Sequence, residues 1–366
     1  MLLQKLRCFH FKNYHAVELS FATQLNCLIG PNGAGKTNLL DAIHYLSLTK
    51  SAFNPIDTQN ILHEGLQMAI QGSFIKFDQQ YDVKCLVHRE QGKTIETNGK
   101  PVDKLRDHLG HFPIVLTTPY DTELIHGKSE VRRRFFDAIL CQVDPDYLHR
   151  LVQYQQLLKH RNSLLKMNGG RGSIDHALVA AYDQQLLPWG QQIYAARKNF
   201  IALFYPLLQE HYQYLVDAPE VTSLQYESDL DTPDFEQKYR DHLQEDIRLQ
   251  RTVLGIHRDD FIGRLNGYVL KKFGSQGQQK SFIIALRLAQ FACIYQMLRC
   301  KPLLLLDDIF DKLDEQRIER LIHLIGQQYF GQVWITDAGG TRSVEIIKQI
   351  TADKALFKIE AGGVVG

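Results

Sequence analysis

GPNGAGKT (residues 30–37) fills the pattern G-x-x-x-x-G-K-[ST] at every position. The apolar run LNCLIG (25–30) leads into it. TNLLDAIHYLSL (37–48) follows, with Leu40, Ile43 and Leu46–Leu48 spaced to share one helical face. A strand that ends in a glycine loop and opens a helix is the context of a phosphate cradle. Gly33 and Gly35 let the backbone curl so that successive N–H groups converge on one anion. The helix N-terminus adds unpaired donors and a favourable dipole. Lys36 is placed to neutralise the β- and γ-phosphates. Thr37 offers a hydroxyl to Mg2+, which prefers hard oxygen ligands. The expected phosphate-binding set is Gly30, Pro31, Asn32, Gly33, Ala34, Gly35, Lys36, Thr37 and Asn38. The bland alternative is a glycine turn without a ligand.

Two further stretches extend this reading. KPLLLLDDIF (301–310) opens LLLLDDIFDKLD (303–314) and has the pattern of a parallel strand buried on both faces and ending in acids. An acid in that place is costly unless it meets a cation. Asp307 is the expected Mg2+ ligand, acting through a water, and Asp308 the acid that orients or deprotonates an attacking water. With Lys36 they form the expected catalytic set; the alternative is a pair of acids at a solvated strand end. QVWITD (332–337) reads as a neighbouring strand. FGSQGQQKSF (273–282) stands before an apolar helix from about Gln278 to Leu298. Ser275 and the backbone around Gly277 are the expected anion contacts at this second helix start. Both helix starts serve one nucleotide within a chain, or two chains pair head to head and each nucleotide lies between the loop of one and the SQGQQ segment of the other.

The chain of 366 residues divides into three regions. Residues 1–125 carry the glycine loop and a small antiparallel sheet from MAIQGSFI (68–75), YDVKCLVHR (81–89) and KTIETNGKPV (93–102), with Asn98-Gly99 as a hairpin turn. Residues 126–250 are polar and helical in period: Tyr147, Leu151, Tyr154 and Leu158, then Tyr182, Leu186, Trp189, Ile193, Ala196, Phe200 and Leu203. NGGRGS (168–173) breaks the two runs apart, so an antiparallel helical hairpin and a plain bundle both fit, and Pro188 is expected to kink the second helix. Residues 251–366 return to α/β. The fold expected is α/β with an inserted helical lobe.

Composition narrows the class. With 44% apolar and 23% charged residues and a net charge of +1, bulk charge argues neither for nor against nucleic acid. Six scattered cysteines without a CxxC pair suit a reduced cytosol and offer no metal site. The N-terminus has no signal-peptide run, and no segment is expected to reach the roughly 20 apolar residues of a membrane span. A cytoplasmic protein without a membrane partner is expected.

Taken in order, FKNY (11–14), LIGPNGAGKTNLLDAIHYL (28–46), RRRFFD (132–137), GIHRDD (255–260), SQGQQK (275–280) and LLLLDDIFDKLD (303–314) resemble the ABC-type ATPase heads of the SMC family, and within it the RecF family. The resemblance covers nearly the whole chain. It implies an ABC/SMC-type P-loop ATPase head with an antiparallel β subdomain and a short inserted helical arm. Lys36 and Thr37 match the Walker A lysine and hydroxyl, Asp307 and Asp308 the Walker B acids. Ser275, Gly277 and Gln278 match the signature that contacts the other subunit's nucleotide, and Asp311–Asp314 the D-loop. The family implies ATP and Mg2+ as cofactors, a weak, DNA-stimulated ATPase, an ATP-dependent homodimer that clamps DNA (duplex, or a single-strand/double-strand junction), cooperation with RecR and RecO, and loading of RecA at single-strand gaps. The sequence departs from the family at Lys12, where arginine is usual, at Ile256, where proline is common, and in SAFNP (51–55), which lacks an arginine. No switch histidine or Q-loop glutamine is found; Thr336 is a candidate for γ-phosphate sensing.

Arg132, Arg133 and Arg134 either contact DNA, form a solvated face, or pair with Asp259 and Asp260. Arg161, Lys166 and Arg171 are similarly placed, while His257 and Arg258 read as structural links. Two rivals remain. A small-molecule P-loop kinase leaves SQGQQKS unexplained. The ATPase subunit of an ABC transporter would have a shorter insert.

Overall fold

The computed structural model describes residues 1–167, 175–309, 315–338 and 353–365, with Leu105 described by its backbone alone. Asp311–Asp314, Arg171 and the NGGRGS break lie outside the described residues. The chain forms two units. The first comprises residues 1–121, 211–218 and 280–366; the second comprises 122–210 and 219–279. Residues 251–279 group with the helical lobe, although their sequence reads as the start of the returning α/β region.

In the first unit the uninterrupted apolar runs become parallel strands. Leu25–Ile29, Leu303–Leu306 and Val333–Asp337 are buried almost throughout. Such runs suit a sheet covered on both faces. The order across this six-stranded sheet is 363–365, 354–360, 25–29, 333–337, 303–306, 114–117, all parallel except the first. The strand Val333–Asp337 therefore lies between the one that feeds the glycine loop and the one that ends in Asp307.

The alternating stretches behave differently. Gln67–Lys76 and Gln79–His88 bury every second residue, as strands with one wet face do. They join Leu2–Phe11, Tyr14–Ser20, Gly92–Thr97 and Lys100–Pro101 in an antiparallel sheet. Asn98 (φ 52°) and Gly99 (φ 73°) form the expected hairpin turn, whose primed geometry needs both positive angles. Helix Lys36–Leu48 packs among residues of both sheets, with Leu39, Leu40, Ile43 and Leu46 in one core with Phe74, Leu305 and Trp334. Gly72 permits the approach: a Cβ there would stand 2.6 Å from Leu46 Cδ1.

Helix Gln276–Leu298 begins two residues before the expected start. It corrects the expectation about membrane spans, being long and apolar enough to cross a bilayer by length and composition. Its residues Ser281–Ile294 are mostly buried in the fold, so its apolarity is that of a core helix.

In the second unit, Pro145–Met167 and His176–Leu215 are the two expected helices. His149 meets Trp189, Tyr154 lies against Gly190, and His160 meets Tyr182. From His149 with Trp189 to His160 with Tyr182 one number rises as the other falls, so the pair is an antiparallel hairpin. Buried positions repeat every seven residues: Tyr147, Tyr154 and Arg161 on one helix; Val179, Leu186, Ile193 and Phe200 on the other. Pro188 and Pro206 both sit inside the longer helix, which runs through them unbroken. A three-stranded antiparallel sheet (222–227, 260–265, 268–269), not foreseen from sequence, completes the unit.

Candidate functional site

The glycine loop is held from three sides. Gly30 passes so close to the strand Lys354–Glu360 that a Cβ would stand 2.1 Å from the Ile359 carbonyl oxygen. Gly35 has φ +117°, and a Cβ there would lie 2.7 Å from both Asn13 Nδ2 and the Tyr14 hydroxyl oxygen. Gly33 has φ +80° with no neighbour within 4 Å, so the loop's outer bend is open. Gly33 and Gly35 need residues tolerant of positive φ, while Gly30 is required by the close approach of the Ile359 carbonyl.

Asn13 and Tyr14 are functional supports that reasoning from sequence missed. Tyr14 donates its hydroxyl to the Gly35 carbonyl (3.1 Å), and Asn13 Nδ2 donates to the Ala34 carbonyl (3.1 Å). Asn38 Nδ2 donates back to Asn13 Oδ1 (2.7 Å). FKNY thus buttresses the loop from outside. Lys12 of the same motif pairs with buried Asp41 at 2.6 Å, and Asp41 also accepts from Ser51 Oγ and the Ala52 amide. That fixes the SAFNP segment to the helix that follows the glycine loop.

Inside the loop, Lys36 is buried, and its ammonium donates to the carbonyls of Gly30 (2.7 Å) and Pro31 (3.0 Å). The helix that starts there has Gly35 at its cap and no side chain capping its first N–H groups. Those donors are oriented and available, which is what an anion needs.

The strand end at Asp307 is brought to Thr37, as the sequence anticipates. Thr37 Oγ1 donates to the carboxylate, at 2.9 Å from Oδ1 and 3.1 Å from Oδ2. Thr336, fully buried on the intervening strand, donates to Asp307 Oδ1 at 2.8 Å. Burial pushes the Asp307 carboxyl above its usual range, opposed by the hydrogen bonds from Thr336 and Thr37. Asp308 adopts φ +47°, and its amide donates to Thr336 Oγ1 at 2.8 Å. A hydroxyl and a carboxylate facing each other are hard oxygen donors, so the residues present fit a Mg2+ ion.

The second helix start is built differently. Ser275 Oγ accepts from the Gln278 amide (3.2 Å), while Gln278 Oε1 accepts from the Ser275 amide (2.8 Å). This is a reciprocal capping box, legible in the S-x-x-Q spacing but not read there. Ser275 is exposed, and Gln278 Nε2 also donates to Glu220 at 2.7 Å.

The basic clusters belong mainly to the architecture of the second unit. Arg132 makes a two-pronged pair with Asp260 (2.7 and 2.8 Å), and Arg133 donates to the Asp259 carbonyl. Arg134 alone of the three points outward, pairing with Glu130. Arg161, considered as a DNA contact, is fully buried and bonds Asp183 (2.6 Å), Asp246 (2.7 Å) and Thr252 (2.7 Å). Arg197, not singled out from sequence, bonds Asp137, Asp259, Tyr147 and the Ile256 carbonyl. His257 accepts at Nδ1 from Tyr154 (2.8 Å) and donates from Nε2 to the Thr252 carbonyl; burial holds its pKa down to about 4.

Comparison with known proteins agrees with this geometry. The family model described as the RecF/RecN/SMC N terminal domain matches residues 2–339. The DNA replication and repair protein RecF of Parabacteroides distasonis is 41% identical over 100% of this chain and 99% of its own. The RecF protein of Flavobacterium johnsoniae is 39% identical over 98% and 100%. Among solved structures, the recombination mediator protein RecF with ATP, of the RecFOR pathway, matches with a TM-score of 0.89 at 26% identity, covering 100% of this chain and 97% of the other. An Smc head bound to the C-winged helix domain of ScpA matches with a TM-score of 0.59 at 15% identity, a likeness of fold.

Proposed function

Because the chain belongs to the RecF/RecN/SMC family and aligns along its full length with RecF proteins, we propose that it is an ATP-gated DNA clamp of that family. The family's established place is DNA replication and repair, and its ATPase head is of the SMC/ABC type. Neither a small-molecule kinase nor a transporter subunit is favoured by these relatives.

The observation that carries the reading is the pairing of Thr37 with Asp307 beside a lysine folded back onto its own loop. Lys36 exchanges the Gly30 and Pro31 carbonyls for the β- and γ-phosphates of ATP. The uncapped N–H groups of the helix start bind the same phosphates. Thr37, and Asp307 through a water, hold Mg2+, which when bound supplies positive charge to the phosphate oxygens. Asp308 orients the attacking water. Ser275, Gly277 and Gln278 of one chain meet the nucleotide of a second, so ATP contributes binding energy to the dimer alone. Hydrolysis removes the bridging phosphate and releases the clamp.

DNA lies in the cleft of that dimer, held through phosphates by Lys and Arg and so sensitive to salt. RecR and RecO are its partners, RecA loading is the outcome, and the cytoplasm is its compartment. Asp308→Asn tests the site: it should bind ATP and dimerise while turnover slows at least tenfold, and turnover at the wild-type rate would remove Asp308 from this role.

A further inference from the structure

A valine would suit position 336 better than threonine on packing grounds alone. The residue is fully buried in a central strand, with Leu28 paired to it on one neighbouring strand. Its hydroxyl is the part that needs a reason. That oxygen makes two contacts of 2.8 Å: it donates to Asp307 Oδ1 and accepts from the Asp308 amide. The strand order explains how: Val333–Asp337 runs beside Leu303–Leu306, with Leu306 paired to Ile335, so the next step along brings Thr336 level with Asp307.

We propose that Thr336 is a positioning residue that sets both acids at once, rather than a sensor that touches the nucleotide. The proposal rests on the reading of Asp307 and Asp308 given above. Asp307 has two hydroxyl donors with different duties. Thr37 would give a lone pair to a cation while its O–H donates to the carboxylate, so its placement is tied to the ligand. Thr336 reaches the carboxylate from the sheet and holds it whether or not a cation is bound. The same oxygen anchors the backbone of Asp308 in its left-handed conformation, which costs a non-glycine residue free energy and needs support from its surroundings. Without the hydroxyl, the Asp307 carboxylate loses its sheet-side donor and the Asp308 amide its acceptor.

The test uses Thr336→Val, Thr336→Ser and Lys36→Ala in the full chain. Binding of a fluorescent ATP analogue is measured in EDTA and in Mg2+, alongside ATP turnover and melting temperature. Thr336→Val should bind the analogue in EDTA within about twofold of wild type. Its gain in affinity on adding Mg2+, and its turnover, should each fall about tenfold, the scale of losing a partner that orients a metal ligand. Thr336→Ser should stay within about threefold of wild type on both counts. A folded Thr336→Val with an undiminished Mg2+ response and turnover overturns the proposal. So does Thr336→Ser as impaired as valine, because then the methyl group matters and not the hydroxyl. Should the valine variant not fold, the serine variant decides by the same criterion. Lys36→Ala keeps two failures apart: if it binds nucleotide normally, the site reading itself falls, whereas its loss beside a fully active Thr336→Val sinks only the role of Thr336.

Discussion

The nucleotide site of the first unit and the arginine core of the second bury positive charge in opposite ways. Lys36 rests on two carbonyls of its own loop, each of which it can leave. Arg161 and Arg197 are pinned by fixed carboxylates: each bonds two of them, Arg197 adds a carbonyl and a tyrosine hydroxyl, and Arg161 adds Thr252 but leaves its Nη2 without a partner among the described residues. A buried cation resting on replaceable carbonyls is poised for a ligand; one paired with buried carboxylates holds the fold together.

The sharpest way to break this comparison is Arg197→Met. Removing one member of a buried ion network leaves the other charges stranded, which costs about 3–5 kcal/mol. Denaturant unfolding should show that loss, with nucleotide affinity unchanged in the folded fraction. A stable Arg197→Met protein would mean that the network is not structural.

The same core predicts a pH effect through His257. Its folded pKa, about 4, lies below the unfolded value, so it favours folding fully above pH 6.5 and loses that contribution as pH falls toward 4. The shift corresponds to roughly 3 kcal/mol. The stability advantage of wild type over His257→Gln should therefore shrink across that window, measured by unfolding at a series of pH values. An advantage independent of pH would contradict a buried neutral imidazole.

Lys36→Ala should show the reverse profile of Arg197→Met. Charge-assisted contacts to phosphate of about 2–3 kcal/mol predict a loss of up to roughly a hundredfold in ATP affinity, read by equilibrium binding, with little change in melting temperature. Arg134→Ala, on an exposed pair, should leave stability unresolved from wild type in the same melts. A large drop there would mean that outward arginines also bear structure.

What sequence reading reached was what local spacing encodes. The glycine loop, the strand ending in Asp307 and the Asn98-Gly99 turn are each contained within a dozen residues. The supports from Asn13 and Tyr14 come from more than 20 positions away, and no local pattern joins them to Gly35. The strand Ile114–Thr117 has four residues, too few to show a period. Arg161 and Arg197 look like surface charges because arginine usually is one. A closer look at the heptad would have found the first: Tyr147, Tyr154 and Arg161 step by seven, so Arg161 shares the buried seam. The capping box at Ser275 was equally available from S-x-x-Q. Pairing across the sheet, which places Thr336 on both acids, could be seen only in three dimensions.

The central claim is that ATP joins two copies of this chain through Ser275 and its neighbours. The most direct test is the mass in solution of wild type and Ser275→Arg, each with and without ATP. The account predicts a dimer for wild type with ATP and a monomer in the other three cases, with Ser275→Arg still binding nucleotide. Wild type that stays monomeric with ATP bound, or Ser275→Arg that dimerises as wild type does, would contradict it.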